Sequence, residues 1–165
     1  MALVLDGTNG VTFPSGSGTQ AAQSKVLQVL QSVTNSTITT TSSSPQQSGL
    51  TVTITPTFSS SKLLLILSGG NTFNDALGGE VWYFFGRNIG GGGYTVLNSS
   101  QQYAINRQAN GSFNGKSSVS AIYLDSPSTT SSIVYQPYFQ ANSGGTAYFN
   151  QGSIAIEFTV MEIAA

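Results

Sequence analysis

The sequence predicts an all-β chain: an antiparallel β-sandwich or jelly-roll-like body preceded by an extended N-terminal arm. Three observations carry this expectation. β-Branched and aromatic residues recur in short alternating runs, broken by Gly, Pro, Asn and Ser. Helical signal is confined to Gln20–Leu27, a turn or two at most. The polar connections hold no helices of the kind that parallel crossovers require.

The arm comes first, over residues 1–24. Its apolar residues form two islands, Leu3-Val4-Leu5 and Val11-Thr12-Phe13 followed by Pro14, strung on Gly, Ser, Thr and Asn. Such islands gain only by burying against something outside their own stretch. An extended 20-residue segment reaches ~65 Å, enough to cross onto an adjacent subunit. Asp6–Gly10 (DGTNG) carries calcium-friendly oxygens without the twelve-residue spacing of an EF-hand loop, and reads as a turn.

The body, residues 25–165, reads as a single β-sandwich domain. Lys25–Val33 and Thr37–Thr41 are expected as a first pair of strands, divided by a turn at Thr34–Ser36. Leu50–Thr57 alternates with a period of two, placing Leu50, Val52 and Ile54 on one face, and Pro56 marks its end or an edge. Lys62–Ser68 (KLLLILS) is a continuous apolar run, too short for a globular helix, and predicts a central strand covered on both faces. Val81–Gly86 follows, with Tyr94–Leu97 as its hairpin partner across the glycine run Gly90–Gly93. Asn114-Gly115 suits a tight turn. Ser118–Leu124, Ile133–Ala141, Thr146–Phe149 and Ser153–Glu162 complete the strands.

Composition narrows the function. Charged residues make up 7% of the 165, against the roughly 25% usual in globular domains. Ser, Thr, Asn and Gln supply about 40% instead. The five cations (Lys25, Lys62, Arg87, Arg107, Lys116) are scattered singly and net charge is −1, so no basic patch awaits nucleic acid. No apolar run approaches the ~18 residues of a membrane span, and no secretory signal opens the chain. A surface so poor in charge is weakly protected against association, which suits a protein working inside an assembly.

Catalytic chemistry has little material. The chain lacks both His and Cys, removing the commonest general base, nucleophile and transition-metal ligands. A carboxylate pair, Asp75 with Glu80 flanking a Gly-rich loop, is the one enzymatic arrangement left, and solvation of a loop tip explains both acids as well. Ala109–Ser117 ends in Gly-Lys-Ser, but Asn110 stands where a phosphate loop needs Gly. Gly90–Gly93 lacks the helix start and acidic partner of a dinucleotide site. The expectation is a non-enzyme with no cofactor and no metal. Sugar binding has more substance. Tyr94, Tyr103, Tyr135, Tyr138 and Tyr148 lie among Asn and Gln residues, a composition shared by glycan sites, subunit interfaces and plain sheet packing.

The arm with its following strands resembles small virion structural proteins of tailed phages. The element Val11–Gly16 (VTFPSG) is similar to segments leading into tail-fibre tip domains, and residues 50–67 (LTVTITPTFSSSKLLLIL) resemble the strand–turn–strand core of such β-domains. The likeness covers residues 3–70 best and the remainder in style. It implies a homotrimer on the external surface of a virion, with the major capsid protein or tail proteins as partners and an arm formed around Leu3, Val4, Leu5, Val11, Phe13 and Pro14. The chain lacks a repetitive shaft and a separate docking domain, so a capsid decoration (cement) protein fits its length. A short tail fibre, knob or receptor-binding tip recognising host surface glycan is the alternative.

Overall fold

The computed structural model describes residues 26–98, 116–152 and 154–164, together with the strand backbone of 4–6, 10–12 and 103–105. The first two strands, β1 (Val4–Asp6) and β2 (Gly10–Thr12), pair antiparallel with Leu5 opposite Val11, as the turn reading of Asp6–Gly10 expects. The remainder of the arm, and the side chains of Leu3, Val4, Leu5, Val11, Phe13 and Pro14, lie outside the described residues. So does the Asn114-Gly115 turn.

The body is all-β. Its strands are β3 (Val26–Thr34), β4 (Thr39–Thr40), β5 (Gln46–Gln47), β6 (Val52–Ile54), β7 (Lys62–Asn74), β8 (Glu80–Ile89), β9 (Thr95–Val96), β10 (Tyr103–Ile105), β11 (Ser117–Asp125), β12 (Ile133–Asn142), β13 (Ala147–Tyr148) and β14 (Ile156–Ile163). The first sheet runs β3-β14-β7-β11, all antiparallel. β13 continues along the edge of β7 that β14 occupies and carries β4 on its far side. The second sheet has β8 and β12 at its centre, β9 and β10 on the outer edge of β8, and β5 and β6 on the outer edge of β12. With interrupted strands merged, the chain visits eight positions in the orders 1-8-3-6 and 2-7-4-5. That is the jelly roll.

Period-two alternation drives the packing. Leu63, Leu65 and Leu67 of β7 meet Phe158 and Val160 of β14 and Tyr83 and Phe85 of β8 in one buried cluster between the sheets. Leu50, Val52 and Ile54 join it while Thr51, Thr53 and Thr55 stay exposed. Each leucine side chain buried this way contributes roughly 1.5–3 kcal/mol.

Two sequence expectations need correction. β3 and β4 do not pair: β3 lies against β14, with Val160 opposite Leu30, and β4 lies against β13. The chain does not reverse at Thr34–Ser36: β4 carries on from β3 along the same side of the sheet, against β13 where β3 lies against β14. Second, β7 is central, with β14 on one edge and β11 on the other, but it is not covered on both faces. Leu64 and Ile66 point outward and are only half-buried.

Polar groups in the interior are chiefly uncharged and satisfied by backbone. Asn98 accepts from Phe85 N–H at 2.7 Å and donates to Tyr83 C=O, so its amide stands in for a strand partner on the β8 edge. Asn74 bridges Glu80 C=O, Gly144 C=O and Ala76 N–H. Amides in these places let a chain with few charges close its loops.

Candidate functional site

The five tyrosines do not converge. Tyr135 and Tyr138 both belong to β12, but an odd separation puts them on opposite faces. Tyr135 is in the core with no exposed surface. Its hydroxyl donates to Asp125 Oδ2 at 2.6 Å, and the Arg87 guanidinium holds both carboxylate oxygens at 2.8 and 2.9 Å. Burial pushes the Tyr135 phenol up, and the Asp125 carboxylate beside it pushes it further. This triad pins β8, β11 and β12 together, so Tyr135 is a packing residue and not a ligand contact. Tyr148 stacks on Phe73 with centroids 4.3 Å apart. The Tyr103 side chain lies outside the described residues.

Tyr138 and Tyr94 do come together. Tyr138 projects from the outer face of the second sheet, and the glycine run after β8 swings Tyr94 edge-on to it at 5.7 Å and 70°. Gly90, Gly91 and Gly93 all have positive φ, a conformation a β-branched residue would resist. Gly86 is needed for a different reason. A Cβ there would sit 2.4 Å from Tyr138 Cε2, so its absence makes room for the ring. Burial, with Tyr94 beside it, pushes the Tyr138 phenol up.

Beside Tyr138, where the chain crosses between sheets, lies a cleft of about 450 Å³. Thr39, Thr40, Pro45, Gln46, Gln47 and Tyr138 line it, together with Ile38 and Phe139. Hydroxyls and amides around an aromatic ring can hydrogen-bond and stack a polar ring ligand. Further along the same sheet face, Glu80 accepts from Trp82 Nε1 and from Asn142 Nδ2, both at 2.9 Å. Sequence reasoning named the tyrosines and missed Thr39, Thr40, Gln46 and Gln47, because polar residues in a polar stretch carry no signal of convergence.

Both candidate acids are held by neighbouring groups. Asp75 Oδ1 accepts from Thr146 N–H at 2.6 Å and its own N–H donates to Thr146 C=O, clamping two loops. Glu80 is engaged by Trp82 and Asn142. Among the described residues no three His, Cys, Asp or Glu side chains gather where a metal ion could sit.

A further surface is largely apolar. On the outer face of the first sheet, register sets Val29, Met161, Leu64 and Leu124 in one row across four strands, and Gln31, Thr159, Ile66 and Ile122 in the next. Val29 is 55% exposed, Ile122 53% and Leu124 48%. Large exposed apolar patches are uncommon on monomeric proteins.

No family model matches this chain, and no curated protein does. Among solved structures it is similar to one described as the structure of infectious bursal disease virus Gt strain, at 11% identity and a TM-score of 0.36, covering 99% of this chain and 42% of that one. The chain therefore spans less than half the length of that neighbour, and the jelly-roll assignment rests on strand order alone.

Proposed function

We propose that this chain is a non-enzymatic structural protein of a tailed-phage virion: a capsid decoration or cement protein on the external surface. It binds the assembled shell and clamps neighbouring capsid subunits through its N-terminal arm, as a homotrimer. The observation that supports this best is the apolar outer face of the first sheet, which the described chain leaves uncovered. A protein that carries such a face with 7% charged residues is suited to life inside an assembly. Binding only the assembled lattice, it stabilises the shell by mass action. Deleting residues 1–24 should abolish co-sedimentation with shells while the jelly roll stays folded. Undiminished binding would sink the role of the arm.

One observation favours a second reading, a short trimeric tail fibre, knob or receptor-binding tip that recognises host surface carbohydrate. The cleft lined by Thr39, Thr40, Gln46, Gln47 and Tyr138 combines polar residues with an aromatic one, the composition that a sugar ring would need. A glycan array probed with the purified protein tests it, and a blank array counts against it.

A further inference from the structure

We propose that the end of the jelly roll from which the arm leaves seats on the arm's protein partner, with Phe58 as its anchor in an apolar pocket of that partner. The inference rests on the shell-binding reading. It adds which end of the body faces the shell and which side chain makes the contact.

Register fixes what shares this end. Val26, where the arm joins the body, lies at Ile163, and Ile163 lies opposite Lys62 at the start of β7. At ~4.8 Å per strand, the root of the arm is about 10 Å from Lys62. Phe58 stands on the turn that leads into Lys62. Ile133 pairs with both Ile54 and Ile89, and Asp125 pairs with Leu63. The loops 55–61, 90–93 and 126–132 are therefore gathered around the arm root.

Phe58 is held out on a fixed turn. It is 52% exposed, more than any other aromatic side chain among the described residues. Buried residues flank the turn, Pro56 on one side and Ser61 on the other. Thr57 N–H and Ser61 Oγ donate to the buried Glu162 carboxylate, and Ser61 N–H closes the turn on Phe58 C=O at 3.1 Å. Gln28 Nε2, two residues past Val26, donates to that carboxylate and to Thr55 C=O at 2.9 Å. One carboxylate thus fixes the Phe58 turn relative to the root of the arm. A ring already held in place loses little freedom on binding, which is what makes an aromatic anchor effective.

Charge selects the kind of partner. Residues 55–61, 90–93 and 126–132 contain no charged side chain, and Arg87 and Asp125 at this end are paired with each other. Lys62, and Lys25 beside the arm root in sequence, are the cations that remain, too few for a phosphate-rich partner. Asp75, Glu80 and Lys116 lie toward the other end, where Asn74 pairs with Ala147, Glu80 with Asn142 and Ser117 with Thr72. The cores of protein–protein interfaces are poor in charge and rich in aromatic residues, so a protein surface fits the Phe58 end. Leu77 is 67% exposed but follows Asp75 at the other end, remote from the arm root.

The test is co-sedimentation of the full chain with purified shells free of it, over a concentration series. Phe58→Ala should weaken binding by about tenfold or more. Its circular dichroism and melting should match wild type, because the ring it removes is exposed. Leu77→Ala, which trims an exposed side chain at the opposite end, should bind as wild type does. Full binding by Phe58→Ala, or an equal loss in Leu77→Ala, would overturn the proposal and leave the shell-binding reading standing. A wild type that does not bind shells would remove both.

Discussion

Glu162 sits fully buried at the end of β14 and takes the Thr57 backbone N–H on its Oε1 at 2.6 Å, across 105 residues of sequence. Ser61 Oγ and Gln28 Nε2 donate to the same carboxylate at 2.7 and 2.6 Å, and Thr57 Oγ1 at 3.1 Å. One uncharged-donor cage thus ties β3, the β6–β7 connection and β14. Burial pushes the Glu162 carboxyl up, but the donors outweigh it and hold the group below its ordinary value of 4.5.

The pH dependence follows. A carboxyl whose folded pKa lies below its unfolded one contributes stability that is complete above about pH 4.5 and is lost as pH falls through the folded value. Wild-type melting temperature should therefore drop as pH is lowered from 5 to 3. Glu162→Gln should be less stable at pH 7 by about 1–3 kcal/mol, since an amide replaces one acceptor with a donor facing donors. Its acid limb should be flatter than that of wild type in melts recorded across that range.

Tyr135, Asp125 and Arg87 make a second cross-strand lock. Tyr135→Phe removes one bond to a charged acceptor and should cost about 1.5–3 kcal/mol in urea unfolding. Asp125→Asn should cost at least as much, because it leaves the partly buried Arg87 without its counter-charge. Equal stability of all three proteins would contradict the lock.

Gly86→Ala should displace the Tyr138 ring, since the added methyl would lie 2.4 Å from it. A loss of about 1–3 kcal/mol, typical of overpacking, is expected in thermal or urea melts. The Tyr94–Tyr138 pair should separate, visible as shifted aromatic resonances by NMR. Gly90→Ala, which meets no atom but has positive φ, should cost less.

If the cleft is a sugar site, Gln47→Ala should lower retention on any glycan that the wild type binds by tenfold or more. Thr51→Ala, exposed and away from the cleft lining, should not. Equal retention of both variants would assign the cleft no part in glycan binding.

Much of the fold was legible because the period of two is local. Leu50, Val52 and Ile54 read as a buried face and are one, and Val81–Gly86 pairs with Tyr94–Leu97 across its glycines, Gly86 opposite Val96. What failed was long-range. In KVLQVLQSV the apolar residues recur every three positions as readily as every two. Composition therefore does not tell that Gln28, Leu30 and Ser32 face inward while Val29 and Val33 face water. The same ambiguity hid the outward side of β7. For the site, strand parity alone separates Tyr135 from Tyr138, whereas the approach of Tyr94 depends on a glycine loop that no alternation describes.

Copies per particle, counted by quantitative mass spectrometry of purified virions, test the central claim most directly. The decoration reading predicts hundreds of copies in simple ratio to the major capsid protein. A few copies to a few dozen would contradict it in favour of a tail or vertex appendage, and absence from particles would contradict both.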